Sequence, residues 1–384
     1  RTALAVSGGP TTYTLDPATN LAQSESCTAT VAASGVTDAD TEDPPDQMAA
    51  DFSWSFTTAA PAPSCDDPET HTISQVQGSG PTSPVVNTEV TVQAVVTADR
   101  TGGLSGFFVQ EETADQDGDP ATSEGVFVRT SLPAGAGEGD VVQVTGTVRE
   151  FTGSGSSQTQ ISSGVTVLLC GPGELPPAAV LTFPVADVSA FERYEGMRTT
   201  LPQPLVISEY FNYDRFNETV VGLPMPGRDR FDTPTAVVDP GAPANDLAAE
   251  YAKRRITIDD GRSSQNASPP YFPGTVDTPF TLGNRFRGGD TVTGVTGVVE
   301  HTFGLYRVHP TEDAAYTAVN PRPDAPPAVG GDVKVGSFNV LNYFLTLDQA
   351  PTRGTCGPGQ NQDCRGADNA GELERQRAKI VDAI

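Results

Sequence analysis

Apolar and polar positions alternate in short runs over most of the chain, the pattern of strands with one buried face. Tyr13-Thr14-Leu15, 28–31 and 51–58 are the first such runs, and in the last of them Phe52, Trp54 and Phe56 share a face. Three large aromatics on one face of a closing strand predict the core of a small sandwich; a carbohydrate platform is the other use of such a row. An acidic, turn-rich stretch at 38–46 with Pro44-Pro45 interrupts the runs, and 59–64, with two prolines, reads as a stiff linker. Five more alternating runs follow at 89–97, 106–110, 125–129, 140–148 and 165–170. That number and spacing predict a Greek-key barrel of the OB type over residues 65–173.

Residues 174–325 repeat the theme. Gly139-Asp140-Val141-Val142-Gln143-Val144-Thr145-Gly146-Thr147-Val148 is echoed, one residue longer, by Gly289-Asp290-Thr291-Val292-Thr293-Gly294-Val295-Thr296-Gly297-Val298-Val299. Gly125-Val126-Phe127-Val128 is echoed by Arg255-Ile256-Thr257-Ile258-Asp259-Asp260-Gly261. An internal duplication accounts for both echoes, and two unrelated β-units sharing common turn chemistry is the alternative. Residues 222–245 read as an irregular surface loop, and 320–331, with Pro321, Pro323, Pro326 and Pro327, as an extended linker.

From residue 332 the pattern changes. Residues 333–344 form a near-continuous apolar run ending in polar groups, which predicts one buried strand. Asp368 or Asn369 is placed to cap a helix whose Leu373, Ile380, Val381 and Ile384 share a face. A strand, a loop and a helix open an α/β domain, and the expectation is that 332–384 are the N-terminal part of one, cut within that helix. The expected organisation is therefore mainly β: part of an Ig-like sandwich at 1–59, OB-type units at 65–173 and 174–325, and the start of an α/β domain.

Composition narrows the function. Glycine and proline total 39 + 33 = 72 of 384 residues, which suits loop-rich β-structure and argues against coiled coil, long helical bundle and TIM barrel. No run of about 18 apolar residues is present, so no membrane-spanning helix is expected. With 49 acidic against 23 basic residues the net charge is −26, and Lys occurs only at 253, 334 and 379. Such a field does not draw polyanions, so wholesale wrapping of nucleic acid is disfavoured, while extracellular or high-salt surroundings suit it. Five cysteines lack the C-x2-C spacing of a metal site, and His71, His301 and His309 are the only histidines, which together argue against zinc. Cys65 with Cys170, and Cys356 with Cys364, are the expected disulfides of an oxidising compartment; Cys27 has no partner in this reading.

The sharpest chemical signal is Phe338-Asn339-Val340 at a strand end. A buried amide there must hold something polar, either a neighbouring loop or a ligand. The run V-K-V-G-S-F-N-V-L-N-Y-F, then T-C-G-P-G-Q-N-Q-D-C-R-G-A-D, then E-L-E-R-Q-R-A-K-I-V resembles the start of the nuclease domain of ExeM/NucH-type extracellular nucleases, in the endonuclease/exonuclease/phosphatase superfamily. H-T-I-S-Q-V-Q-G-S-G at 71–80 and G-F-F-V-Q-E at 106–111 are similar to that family's YhcR-type OB domain, and W-S-F-T-T at 54–58 resembles the close of bacterial Ig-like domains of the Big_5 kind. The resemblance implies a secreted, bacterial, metal-dependent phosphodiesterase, most simply a deoxyribonuclease. Asn339 then matches the asparagine that helps hold the metal and the scissile phosphate. The ion would be Mg2+ or Mn2+, with Ca2+ in support, and a histidine-assisted water would attack. Some relatives carry a carboxylate two residues after the asparagine; here that position is Leu341, so no ligand is placed there. The remaining catalytic residues are expected beyond Ile384, which would leave this chain inactive by itself.

Other candidates accompany Asn339. Arg365, Arg375, Arg377 and Lys379 could contact substrate or form a solvated helix face. Asp115, Asp117, Asp119 and Glu124 alternate as calcium loops do, without the EF-hand's Gly and Glu positions, so a plain acidic turn is the alternative. Phe107, Phe108, Phe127 and Arg129 could bind single strands, although alternation sends one of the adjacent phenylalanines to the core. Two further functions stay open: a non-catalytic adhesion or binding protein of β-modules, and a phosphoesterase acting on lipid or nucleotide substrates.

Overall fold

The computed structural model describes residues 4–9, 11–37, 42, 47–153, 155–349 and 353–383, and the chain divides into two compact units, Arg1–Pro321 and Arg322–Ile384. The first unit begins with two antiparallel ribbons, β1 (Leu4–Gly8) with β2 (Tyr13–Pro17), and β3 (Ser26–Val31) with β4 (Phe52–Thr57). Phe52, Trp54 and Phe56 share a face of β4, as the alternation predicts, but they are 61, 38 and 42 % exposed and form no core. A two-stranded ribbon has no second layer to cover them. The acidic stretch 38–46 lies outside the described residues except for residue 42, and Cys27 on β3 is a free thiol.

Next comes a closed barrel. After the short helix α1 (Ile73–Gln77) it runs through β5 (Glu89–Arg100), α2 (Thr101–Leu104), β6 (Gly106–Gln110), β7 (Gly125–Val128), β8 (Asp140–Gly153) and β9 (Ser156–Pro172). The order around the barrel is β5-β6-β7-β9-β8, with β7 and β9 parallel and the other pairs antiparallel, which is the OB arrangement. A capping box between Thr72 and Gln75 starts α1, whose Ile73 and Val76 join the valines of β5 and β8 in the core. The Cys65–Cys170 disulfide ties the approach to the barrel to the end of β9.

A nine-stranded sheet follows. Its elements are β10 (Ala179–Val180), β11 (Arg198–Leu201), β12 (Leu205–Glu209), α3 (Tyr213–Phe216), β13 (Thr219–Gly222), α4 (Ala242–Ala252), β14 (Arg255–Ile258), β15 (Thr291–Thr293), β16 (Val295–Thr302), β17 (Leu305–Pro310) and β18 (Ala315–Thr317). Strands β15 and β16 read as one strand broken at Gly294, whose φ of +72° bends the chain. Counted so, β12-β13-β14-β17-β16/β15 returns to β12, and β14 runs parallel to β17. That is the connectivity of the first barrel. Both sequence echoes fall on equivalent strands: β7 with β14, and β8 with β15/β16. Even the entry turn recurs. Gly139 and Gly289 take φ of +90° and +92°, and the Asp140 and Asp290 carboxylates each accept the N–H three residues back, at 2.8 and 2.9 Å. The expected irregular loop at 222–245 holds a 3-10 turn at Pro234–Ala236 and, at its end, the first turn of α4, where proline at the helix start is well tolerated.

The two barrels share an apolar seam in which Ala98, Phe108 and Phe127 of the first meet Val298 of the second. Alternation on β6 sends Phe107 into the barrel and Phe108 into this seam. All three phenylalanines proposed as a stacking platform are therefore buried, and only Arg129 of that set is exposed.

In the second unit the buried strand expected at 333–344 is absent. The segment forms no strand among the described residues, and Val333, Val335 and Leu341 are largely exposed. A strand exists only through neighbours that accept its hydrogen bonds, and no described strand pairs with this one. The helix does form, as α5 (Ala370–Ala383), started by Asn369, whose Oδ1 accepts the Glu372 N–H at 2.9 Å. Leu373 and Ile380 on it are half-buried and Val381 is exposed; Ile384 lies outside the described residues. The second expected disulfide, Cys356–Cys364, closes the loop before it.

Candidate functional site

In the second unit the structure gathers the cations that the sequence scatters. Arg365, on the loop behind the disulfide, and Arg375 and Lys379, one turn apart on α5, line a single cleft of about 480 Å3 with Leu341, Asn342 and Glu372. Positions four apart on a helix share a face, so Arg375 and Lys379 necessarily point the same way. Arg365 reaches the cleft from a backbone with φ of +51°. Arg377 points elsewhere and pairs with Glu374 at 3.5 Å. Three cations against one carboxylate make a local positive site in a chain of strongly negative charge, with donors of the chemistry that suits a phosphate group. Asn339 does not line this cleft. It is exposed, and its Oδ1 accepts the Leu341 N–H at 2.8 Å in a local turn, so in this conformation the carboxamide oxygen serves its own loop.

The carboxylates of the 115–124 loop are also turned inward. Asp117 Oδ1 accepts the Asp119 N–H at 2.7 Å, Asp119 Oδ1 the Ala121 N–H at 2.9 Å, and Glu124 Oε1 the Asp117 N–H at 2.9 Å. Thr122 adds its hydroxyl to Asp117. These bonds build the acidic turn, and with Asp115 the residues form no converging ligand set among the described residues. Burial, with the side-chain hydrogen bond and charge of Asp117, pushes the Glu124 carboxyl up to about 7, against the Asp117 N–H that it accepts. Beside it, burial together with the charges of Glu69, Glu112 and Glu124 lifts Glu111 to about 8, against the Ile73 N–H that it accepts.

Sequence reasoning missed two clusters in the second barrel. Arg307 and His309, two apart on β17, lie on the strand face opposite the core residue Val308 and are both buried, His309 beside Phe108 of the first barrel. Arg307 bonds Glu218 at 2.8 Å and lies 3.2 Å from Asp259, while His309 bonds Glu300 at 2.9 Å and lies 3.5 Å from Asp259. Burial opposes charge on His309, but Asp259 and Glu300 overcome it and lift the ring to about 9. The second cluster is Glu192, Glu195 and His301, whose ligand atoms lie within 4.8 Å of one another. Its one sequence signal was the E-R-Y-E spacing at 192–195. Nothing local announces that His301, on β16, meets it.

Residues 2–58 match the family model of a bacterial Ig-like domain, Big_5. No curated protein matches the chain. Among the described residues no helix is long and apolar enough to cross a membrane.

Proposed function

We propose that this chain is part of a secreted, metal-dependent phosphodiesterase acting on nucleic acid, in which paired OB barrels carry the opening segment of the catalytic domain. The reading rests on the resemblance of residues 333–381 to extracellular nucleases, and one observation carries it: Arg365, Arg375 and Lys379 converge on one cleft beside Asn342. Paired cations are how proteins hold a phosphodiester backbone. The two disulfides suit the oxidising surroundings of a secreted protein, as does the bacterial Ig-like match at 2–58. Mg2+ or Mn2+ would be held by Asn339 with carboxylates from the rest of the domain, once its side chain leaves the local turn. Calcium at Asp115, Asp117 and Asp119 would require the 115–124 loop to reopen.

The test is hydrolysis of plasmid DNA by the protein encoded by the complete gene, with Mn2+ or Mg2+. Cleavage that falls at least about 100-fold in Asn339→Ala, and that EDTA abolishes, supports the reading. Intact DNA alongside cleaved lipid or nucleotide phosphoesters moves the substrate within the same chemistry. No hydrolysis of any phosphoester favours the second reading, a non-catalytic β-module protein, to which the exposed 333–344 segment lends weight.

A further inference from the structure

Glu195 is 1 % exposed, and its two carboxylate oxygens have different fates. Oε1 accepts the Thr159 N–H from β9 at 2.8 Å, whereas Oε2 is buried with no hydrogen-bond partner. His301 Nδ1 is likewise buried without one, and it faces Glu192 Oε2 at 3.9 Å. A lone carboxylate oxygen and a lone imidazole nitrogen, both out of water, are each costly. Burial raises the Glu195 carboxyl well above the usual carboxylate range, and a proton there removes its charge but leaves the O–H with no acceptor within hydrogen-bond distance. A cation placed between the three side chains satisfies them all.

We propose that Glu192, Glu195 and His301 form a binding site for one divalent transition-metal ion at the junction of the two barrels, with Zn2+ or Mn2+ as the occupant. One imidazole and two carboxylates is a donor set for these ions; Ca2+ and Mg2+ prefer oxygen alone. Tetrahedral bonds of about 2.1 Å place ligand atoms about 3.4 Å apart, so the 3.9 Å pair needs to close by about half an ångström and no pair, all lying within 4.8 Å, by more than about 1.4 Å. The outer contacts are those of a metal site. The Tyr306 hydroxyl donates to Glu192 Oε2 at 2.6 Å, its ring stacks on His301 with centroids 3.9 Å apart, and the Ser157 carbonyl is a partner of the imidazole. Glu150 and Glu300 add negative charge that a dication would offset. Thr159 and Ser157 belong to the first barrel and His301 to the second, so the ion would brace the junction between them.

Titration calorimetry on the EDTA-stripped 384-residue chain at pH 7 tests this. One equivalent of Zn2+ or Mn2+ is expected to bind and raise the thermal midpoint, with no comparable binding of Ca2+ or Mg2+. Glu195→Gln and His301→Ala should each weaken binding about 100-fold or more, Tyr306→Phe about tenfold, and Asp117→Asn not at all. If a ligand variant fails to fold, the visible d–d bands of Co2+-loaded wild type decide, their presence as nitrogen/oxygen ligation supporting the site. Absence of transition-metal binding up to about 1 mM overturns the proposal, as does binding that both ligand variants retain.

Discussion

Burying Glu111 and His309 sets the pH at which this molecule is most stable. Glu111 lies at the N-terminus of α1 with its carboxyl lifted to about 8, against about 4.5 in the unfolded chain. The folded state therefore binds the extra proton between those limits, and stability falls as pH rises from about 4.5 to 8. His309 acts in the same sense. Its folded value of about 9 exceeds the ordinary 6.5, so its contribution is complete below 6.5 and lost as pH rises through 9. Asp259 works oppositely: burial opposes its charge, but His309 and Arg307 hold its carboxyl low, so its contribution is lost in acid. Urea denaturation should accordingly give maximal stability on the acid side of neutrality. Glu111→Gln keeps the acceptor for the Ile73 N–H and removes the charge. It should be near neutral at pH 5 and stabilise by about 1–3 kcal/mol at pH 8.5. His309→Gln should cost about 3–5 kcal/mol at pH 6, because it leaves Glu300 buried without its cation and Asp259 with Arg307 alone, and less at pH 10. A wild-type stability flat from pH 5 to 9 would contradict both arguments.

Strands β6 to β8 were legible as elements because their alternation is set by one buried face, and the turns around them carry glycine. The helix α5 was legible from its cap. Residues 333–344 show the limit: an apolar run states that a segment could be buried, but pairing belongs to the neighbours, and here none of the described strands supplies it. Phe52, Trp54 and Phe56 fail the same way, alternating correctly over a ribbon that no second layer covers among the described residues. The cationic cleft was half legible, since Arg375 and Lys379 follow from helical spacing while the arrival of Arg365 depends on a loop. The Glu192–Glu195–His301 cluster was not legible, because its partners lie more than a hundred positions apart and meet only through the barrel topology. Cysteine pairing, by contrast, can be tested element by element. Closing 105 residues between Cys65 and Cys170 removes about 4.7 kcal/mol of unfolded-state entropy, whereas the eight-residue Cys356–Cys364 loop removes about 2.5 kcal/mol. The double variant Cys65→Ser/Cys170→Ser should therefore lower the urea midpoint of the barrels, and Cys356→Ser/Cys364→Ser should leave that transition in place.

At the scale of the first unit, the barrels are joined by close backbone approach as much as by apolar area. A Cβ on Gly125, at the start of β7, would lie 2.3 Å from the carbonyl of Gly196, and a Cβ on Gly103 would lie 2.0 Å from that of Gly261. Neither obstacle is a side chain that can swing aside. The Gln77 and Ser123 side chains reach across the same join to the Glu195 carbonyl, and Arg100 reaches the Pro310 carbonyl at 2.6 Å. Barrels held this way should unfold together, as one calorimetric transition with matching van't Hoff and calorimetric enthalpies. Gly125→Ala tests the join without removing any side chain. The added methyl must push the β7 and Gly196 backbones apart, opening the Phe108–Phe127–Val298 seam, and should cost about 1–3 kcal/mol or split the transition in two. Gly153→Ala, on the free end of β8 with open space around its Cβ, should change little. If both variants behave alike, the barrels are independent beads and the seam is only contact. If they differ as argued, the two like-connected barrels form a single rigid body, whose two halves hold the acid–histidine cluster between them.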